Sequence, residues 1–125
     1  MAKKVVIIED DSNLLKVMES RITSEGYDVA ICNEGTDIIE KLKTEQPDIV
    51  VMDIMLPGMD GYTLVRTIRG HKQFSGIPVI MISGKVYEDG AVIAEEIGAD
   101  AFILKPFDLH VLLSKIKELL EKCKR

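Results

Sequence analysis

Ile49-Val50-Val51-Met52-Asp53 is a run of four apolar residues closed by a carboxylate. Its apolar positions are consecutive rather than alternating. That pattern belongs to a strand covered on both faces, as in a parallel sheet. Working outward, similar short runs stand at Val5–Ile8, Val29–Cys32, Val79–Ile82 and Ala101–Leu104. Amphipathic stretches separate them. Ser12 is placed to cap a helix bearing Leu15, Met18 and Ile22 on one face, stopped near Gly26. Thr36–Lys43 predicts a second helix, ended before Pro47, and Tyr62–Arg69 a third with Leu64, Val65 and Ile68 as its apolar side. Glu88–Ile97 predicts a fourth, stopped by Gly98 and weakened by Gly90 by up to ~1 kcal/mol relative to alanine. Asp108 is placed to cap the fifth, striped by Leu109, Leu112, Ile116 and Leu119. Five strand–helix units in this order predict an α/β fold, a single doubly wound five-stranded parallel sheet with five helices on its two faces.

Composition narrows the function. The chain has 125 residues, 46% of them hydrophobic and 30% charged, the balance of one globular domain spanning residues 1–125. With 16 basic and 21 acidic residues the net charge is −5, which argues against direct nucleic-acid binding. No apolar run is long enough to span a membrane, and the four residues after Lys4 are too few for a signal-peptide core. Cys32 and Cys123 form no spacing motif, which points to a reducing, cytoplasmic setting. The absence of tryptophan and an aromatic content of 5% leave little for stacking bases or sugars.

In an open α/β sheet, ligands bind beyond the carboxyl ends of the strands. After the first run stand Glu9, Asp10 and Asp11; after the third, Asp53; after the fourth, Ser83 and Gly84; after the fifth, Lys105 and Pro106. Each alone has an ordinary structural reading, as a solvated loop, a turn or a helix entry. Together they form a chemical set. Clustered carboxylates resist ionising beside one another, and a hard divalent cation relieves that conflict. Lys105 supplies a compact positive charge suited to a phosphate oxygen, and Ser83 a hydroxyl donor. A cation, an ammonium and a hydroxyl describe a site for a phosphoryl group, with Asp53 as the nucleophile because a carboxylate can form an acyl phosphate.

The segments Val5–Asp11 (VVIIEDD), Val50–Gly61 (VVMDIMLPGMDG), Ile77–Lys85 (IPVIMISGK) and Gly98–Phe107 (GADAFILKPF) resemble, in order and spacing, the receiver domain of two-component response regulators. The resemblance covers essentially the whole chain. It implies a flavodoxin-like fold with strand order 2-1-3-4-5. It implies that Asp53 accepts a phosphoryl group from a sensor histidine kinase or a phosphotransfer protein. Glu9 and Asp10 match the acidic pair that holds Mg²⁺, joined by Asp53 and the main-chain carbonyl of Met55; Asp11 sits one place beyond, at the start of the loop. Ser83 matches the switch hydroxyl, Lys105 the lysine that pairs with the phosphate, and Phe102 the switching aromatic. The Lys105–Pro106 peptide would be cis by the same analogy. Met55 and Lys85 occupy positions that tune dephosphorylation by limiting water. Output would pass through the face made by the fourth helix, fifth strand and fifth helix, to a second copy of the chain or an effector. The protein would be a signalling phosphoacceptor rather than an enzyme, and nothing resembling an effector domain follows the last helix.

This sequence departs from the family pattern at four positions. Glu9 replaces the commoner aspartate and Ser83 the commoner threonine. Phe102 lacks the hydroxyl of the frequent tyrosine. Ala101 stands where receivers of winged-helix transcription factors carry a second aspartate, which weakens the case for their salt-bridged dimer. Two other readings stay open at this point. One is a receiver-like interaction module that is never phosphorylated. The other is a small phosphatase with an aspartyl-phosphate intermediate, although such enzymes place two aspartates one residue apart after the first strand and carry a cap domain. Flavin binding is disfavoured, because the acidic loop would repel the flavin phosphate.

Overall fold

A computed structural model describes residues 2–32, 37–53, 55–56, 59–83 and 98–122. The chain order is β1 (Lys4–Ile8), α1 (Ser12–Ser24), β2 (Asp28–Cys32), α2 (Ile38–Glu45), β3 (Ile49–Asp53), β4 (Met55–Leu56), β5 (Met59–Asp60), α3 (Gly61–Gly70), β6 (Val79–Ser83), β7 (Ala101–Leu104) and α4 (Leu109–Lys122). The expected helix at Glu88–Ile97 with Gly90, and Gly84, Lys85 and Cys123, lie outside the described residues.

Five strands form one sheet in the order β2-β1-β3-β6-β7. Every pairing is parallel. Counting only the strands of this sheet, the order is the expected 2-1-3-4-5. The pleat sends alternate side chains to opposite faces, and each face builds its own core. Val6, Ile8, Val50, Met52, Val79 and Met81 pack with Leu42 of α2 and Leu64, Val65 and Ile68 of α3. Val5, Ile7, Ile49, Val51, Ile80 and Ile82 pack with Met18 and Ile22 of α1 and Leu112 and Ile116 of α4. Each such side chain contributes about 1.5–3 kcal/mol when wholly buried. The three inner strands are therefore apolar except at one end each: Lys4 opens β1, Asp53 closes β3 and Ser83 closes β6. β2 and β7, at the two edges, are covered only in part, and Leu104 is 43% exposed.

Several boundaries differ from expectation. Asp11, not Ser12, caps α1: its Oδ1 accepts from the amides of Asn13 and Leu14 at 3.0 and 3.2 Å. An ionised carboxylate at that position satisfies two free amides and complements the positive end of the helix dipole, which a hydroxyl does less well. Asp37 likewise caps α2, so the helix begins at Ile38 and runs to Glu45. Gln46 adopts the left-handed conformation (φ 49°) and closes it before Pro47. Gly26 does the same after α1, with φ 95°, a region closed to most side chains. Asp108 caps α4 as expected, accepting from His110 N at 2.8 Å. The turn-rich stretch after Leu56 contains a small antiparallel ladder that the sequence did not announce, pairing Met55 with Asp60 and Leu56 with Met59.

At the amino-terminal edge of the sheet, Arg69 at the end of α3 ties three segments together. Its guanidinium donates to the carbonyls of Ser75, Ile77 and Gly98 and to Asp100 Oδ2 at 2.8 Å. Asp100 in turn accepts from Val79 N, fixing where β6 and β7 start beside one another. No helix among the described residues is long and apolar enough to cross a membrane.

Candidate functional site

The sheet register decides which residues meet at the opposite, carboxyl edge. Ile8 pairs with Met52, Asp53 with Ile82, and Ser83 with Leu104. Glu9, Asp53, Ser83 and Lys105 are thereby brought to the ends of four adjacent strands. Lys105 N continues the ladder by donating to Ser83 O at 2.6 Å, and the Lys105–Pro106 peptide is cis, as the resemblance implied.

Side chains converge there. Lys105 Nζ lies 2.7 Å from Asp53 Oδ2 and 2.8 Å from Glu9 Oε1, bridging the two carboxylates. Glu9 Oε2 accepts from the amides of Asp10 and Asp11 at 3.0 and 3.3 Å. Glu9 has no exposed surface, and Asp53 and Ser83 are buried, while Asp10 faces solvent. Burial raises the Glu9 carboxyl to about 7, with the charge of Asp53 adding to the effect and Lys105 opposing it. The Lys105 ammonium is partly desolvated, which pulls its pKa down, but the hydrogen bonds it donates to Asp53 and Glu9, with their charges, outweigh that and hold it above its ordinary value.

Glu9, Asp10 and Asp53 each present a carboxylate oxygen within 4.8 Å of the others. Three hard oxygen donors at that spacing, one open to solvent, fit a hydrated divalent cation of the Mg²⁺ type. Met55 stands two residues beyond Asp53, at the start of the short antiparallel ladder. Phe102 is half-buried on β7, paired with Met81, and leans on the core that lies against α2 and α3.

The sequence-predicted residues Glu9, Asp10, Asp53, Ser83 and Lys105 are thus gathered at one edge, and Phe102 lies on the neighbouring strand, three residues short of Lys105. Two features were missed. Asp11 belongs to the helix cap rather than to a free loop. Lys105 spans two carboxylates, a consequence of placing one ammonium among buried acids that a list of residues does not reveal.

The family described as the response regulator receiver domain matches this chain over residues 5–117. The chain belongs to that family. Solved structures agree. A CheY-like response regulator receiver domain protein from Methanospirillum hungatei is 32% identical, with a TM-score of 0.88 over 98% of this chain and 97% of that one. The signal receiver domain of a signal transduction histidine kinase from Syntrophus aciditrophicus is 32% identical, with a TM-score of 0.89 over 99% of this receiver and 94% of that chain. The BeF3-activated amino-terminal receiver domain of Klebsiella pneumoniae RstA is 32% identical, with a TM-score of 0.85 over 94% of this receiver and 98% of that chain.

Proposed function

We propose that this receiver accepts a phosphoryl group on Asp53 from a sensor histidine kinase or a phosphotransfer protein, with Mg²⁺ bound at the acidic cluster. The observation that carries this reading is the position of Lys105 Nζ, 2.7 Å from Asp53 Oδ2 at the rim of a cluster of three carboxylates. In the transfer, a carboxylate oxygen of Asp53 bonds to phosphorus. The bond from phosphorus to the donor's histidine nitrogen breaks, and its electron pair leaves on that nitrogen. Lys105 then faces a phosphoryl oxygen instead of the bare carboxylate and offsets its charge. Glu9, Asp10, Asp53 and the Met55 carbonyl make up the cation's surroundings, and the cation would supply charge neutralisation for an incoming phosphoryl group.

The protein acts as a phosphoacceptor in signalling rather than as an enzyme with turnover on a separate substrate. Phosphorylation places strong acceptor oxygens at Asp53. Ser83, at the end of β6, turns its hydroxyl toward one of them. Phe102 responds on the adjacent strand β7, and the surface formed by β7 and α4 changes its fit for an effector or a second copy of the chain. This is a two-state element biased by one local charge.

Beryllofluoride, which mimics the phosphoryl group, tests the reading without a cognate kinase. With Mg²⁺ present it should bind the wild-type protein and shift the amide resonances of Asp53, Ser83 and Lys105, and it should leave Asp53→Asn unchanged. A wild-type spectrum indifferent to beryllofluoride would favour a module that works without phosphorylation. Steady hydrolysis of a generic phosphomonoester would instead revive the phosphatase reading.

A further inference from the structure

At the amino-terminal edge of the sheet, opposite the acidic cluster, a recess of about 270 Å³ opens between two connections. Gln46, Pro47 and Asp48 of the α2–β3 turn line one side, and Gln73, Phe74 and Ile77 of the α3–β6 connection the other. Both walls are held in place. Asp48 Oδ2 accepts from Lys4 N at 2.8 Å, and Asp48 N donates to Lys4 O at 2.8 Å. Phe74 N donates to His71 O and Ile77 N to Phe74 O, each at 3.0 Å. Pro47, Phe74 and Ile77 are buried, whereas Gln46 and Gln73 are exposed and Asp48 is half-buried. Asp48 is the one charged residue of this lining, and among the described residues it forms no ion pair. Lys4, whose main chain holds it, turns its ammonium to Glu45 instead, at 3.0 Å. Gln46 adds a second observation. Its backbone is left-handed (φ 49°, ψ 60°), a conformation better suited to glycine or asparagine. A glutamine there carries a backbone cost and sets a long amide side chain at the rim.

We propose that this recess takes the guanidinium of an arginine presented by a partner protein, with Asp48 as its counter-ion and the side-chain oxygens of Gln46 and Gln73 as further acceptors. The proposal goes beyond the phosphoacceptor reading and does not depend on it. One carboxylate brings a single negative charge, which suits a singly charged organic cation better than a divalent metal, whose sites gather several oxygen ligands. Arginine fits better than lysine. Its planar fork spreads five N–H donors over several directions and can meet a carboxylate and two amide oxygens at once. Pro47 and Phe74 give its methylene stem apolar cover. A volume of about 270 Å³ is below the roughly 300–1,000 Å³ of sites that enclose whole small molecules, so it suits one side chain of a larger partner. The net charge of −5 draws a basic partner toward the chain. Because the recess lies at the edge opposite Asp53, its occupant leaves the approach to the phosphoacceptor clear.

The test is an amide NMR titration of the whole chain with N-acetyl-argininamide, which presents the side chain between two peptide groups as a protein does. N-acetyl-lysinamide, the neutral isostere N-acetyl-citrullinamide and free arginine are titrated alongside. The arginine probe should saturate in the millimolar range and move the main-chain signals of Gln46, Asp48, Gln73 and Phe74, with the side-chain amide signals of both glutamines. The citrulline probe should bind about tenfold more weakly, and the lysine probe about threefold more weakly. Asp48→Asn keeps an oxygen for Lys4 N but loses the charge, and should weaken the arginine probe by about tenfold. Gln73→Ala and Gln46→Gly should each weaken it by about threefold. Gln46→Gly should also melt at or above the wild-type temperature, because glycine suits the left-handed backbone. Equal binding of the arginine and citrulline probes would overturn the proposal, as would an Asp48→Asn protein that binds like wild type. Shifts confined to Asp10 and Asp53 would place the cation at the acidic cluster and do the same. Free arginine binding more than about tenfold tighter than the blocked probe would mark a site for the amino acid itself and refute a partner's side chain. If Asp48→Asn does not fold, the citrulline comparison on wild type decides alone.

Discussion

Lys105 changes what its own removal should do. The sequence presents it as a phosphate partner. In the structure it also neutralises two buried acids, Glu9 and Asp53. Lys105→Ala should therefore destabilise the Mg²⁺-free protein by ~3 kcal/mol, the cost of leaving buried charge without its partner. Mg²⁺ should then recover more stability than it adds to wild type, because it binds only the folded cluster. Urea denaturation with and without Mg²⁺ measures both effects. Glu9 gives a matching pH dependence. Its folded pKa of about 7 lies above the ordinary 4.5, so the folded state holds this proton more tightly than the unfolded chain does. The stability this confers is complete below about pH 4.5 and is lost as pH rises through 7. In Mg²⁺-free buffer, Glu9→Gln should remove that part of the stability–pH slope, and an unchanged slope would mean that Glu9 titrates normally.

Secondary-structure elements were legible in their centres and less so at their ends. The inner strands were readable because both faces are covered, which confines polar residues to their ends and leaves an unbroken apolar run between. Helix starts were displaced where several capping residues follow one another, as in Asp10-Asp11-Ser12 and Thr36-Asp37, since composition does not say which of them will meet the free amides. The ladder at Met55–Leu56 and Met59–Asp60 is too short to leave a periodic trace. Asp11→Ala should cost α1 about 1 kcal/mol, the usual loss of an N-cap, whereas Ser12→Ala should cost much less. Chemical denaturation of the two variants separates them, and equal losses would restore Ser12 as the cap. The candidate site was legible for a topological reason: in a parallel sheet, residues following successive strands must meet at one edge. Which side chain bonds which was not legible, because that depends on reach. The methylene and carboxylate of Glu9 beyond its Cβ carry it back to its neighbours' amides and across to Lys105 at once.

At the scale of the whole molecule, the sheet has two working ends. Arg69 and Asp100 tie together the amino-terminal edge, where β6 and β7 begin, and the acidic cluster lies at the opposite, carboxyl edge. Ser83 and Phe102 lie on those same two strands, one at the site and the other half-buried against the core beside α3. Ser83→Ala should still bind beryllofluoride at Asp53, but its chemical-shift changes at Phe102 should be much smaller than wild type's. Full-sized changes there would mean that the signal does not travel through this hydroxyl. The central claim is that Asp53 is the phosphoacceptor, and intact-protein mass spectrometry after incubation with acetyl phosphate and Mg²⁺ tests it most directly. Wild type should gain the mass of one phosphoryl group, and Asp53→Asn, which keeps the shape but lacks the nucleophile, should gain none. A phosphoryl adduct on Asp53→Asn of the same extent as on wild type would contradict the account.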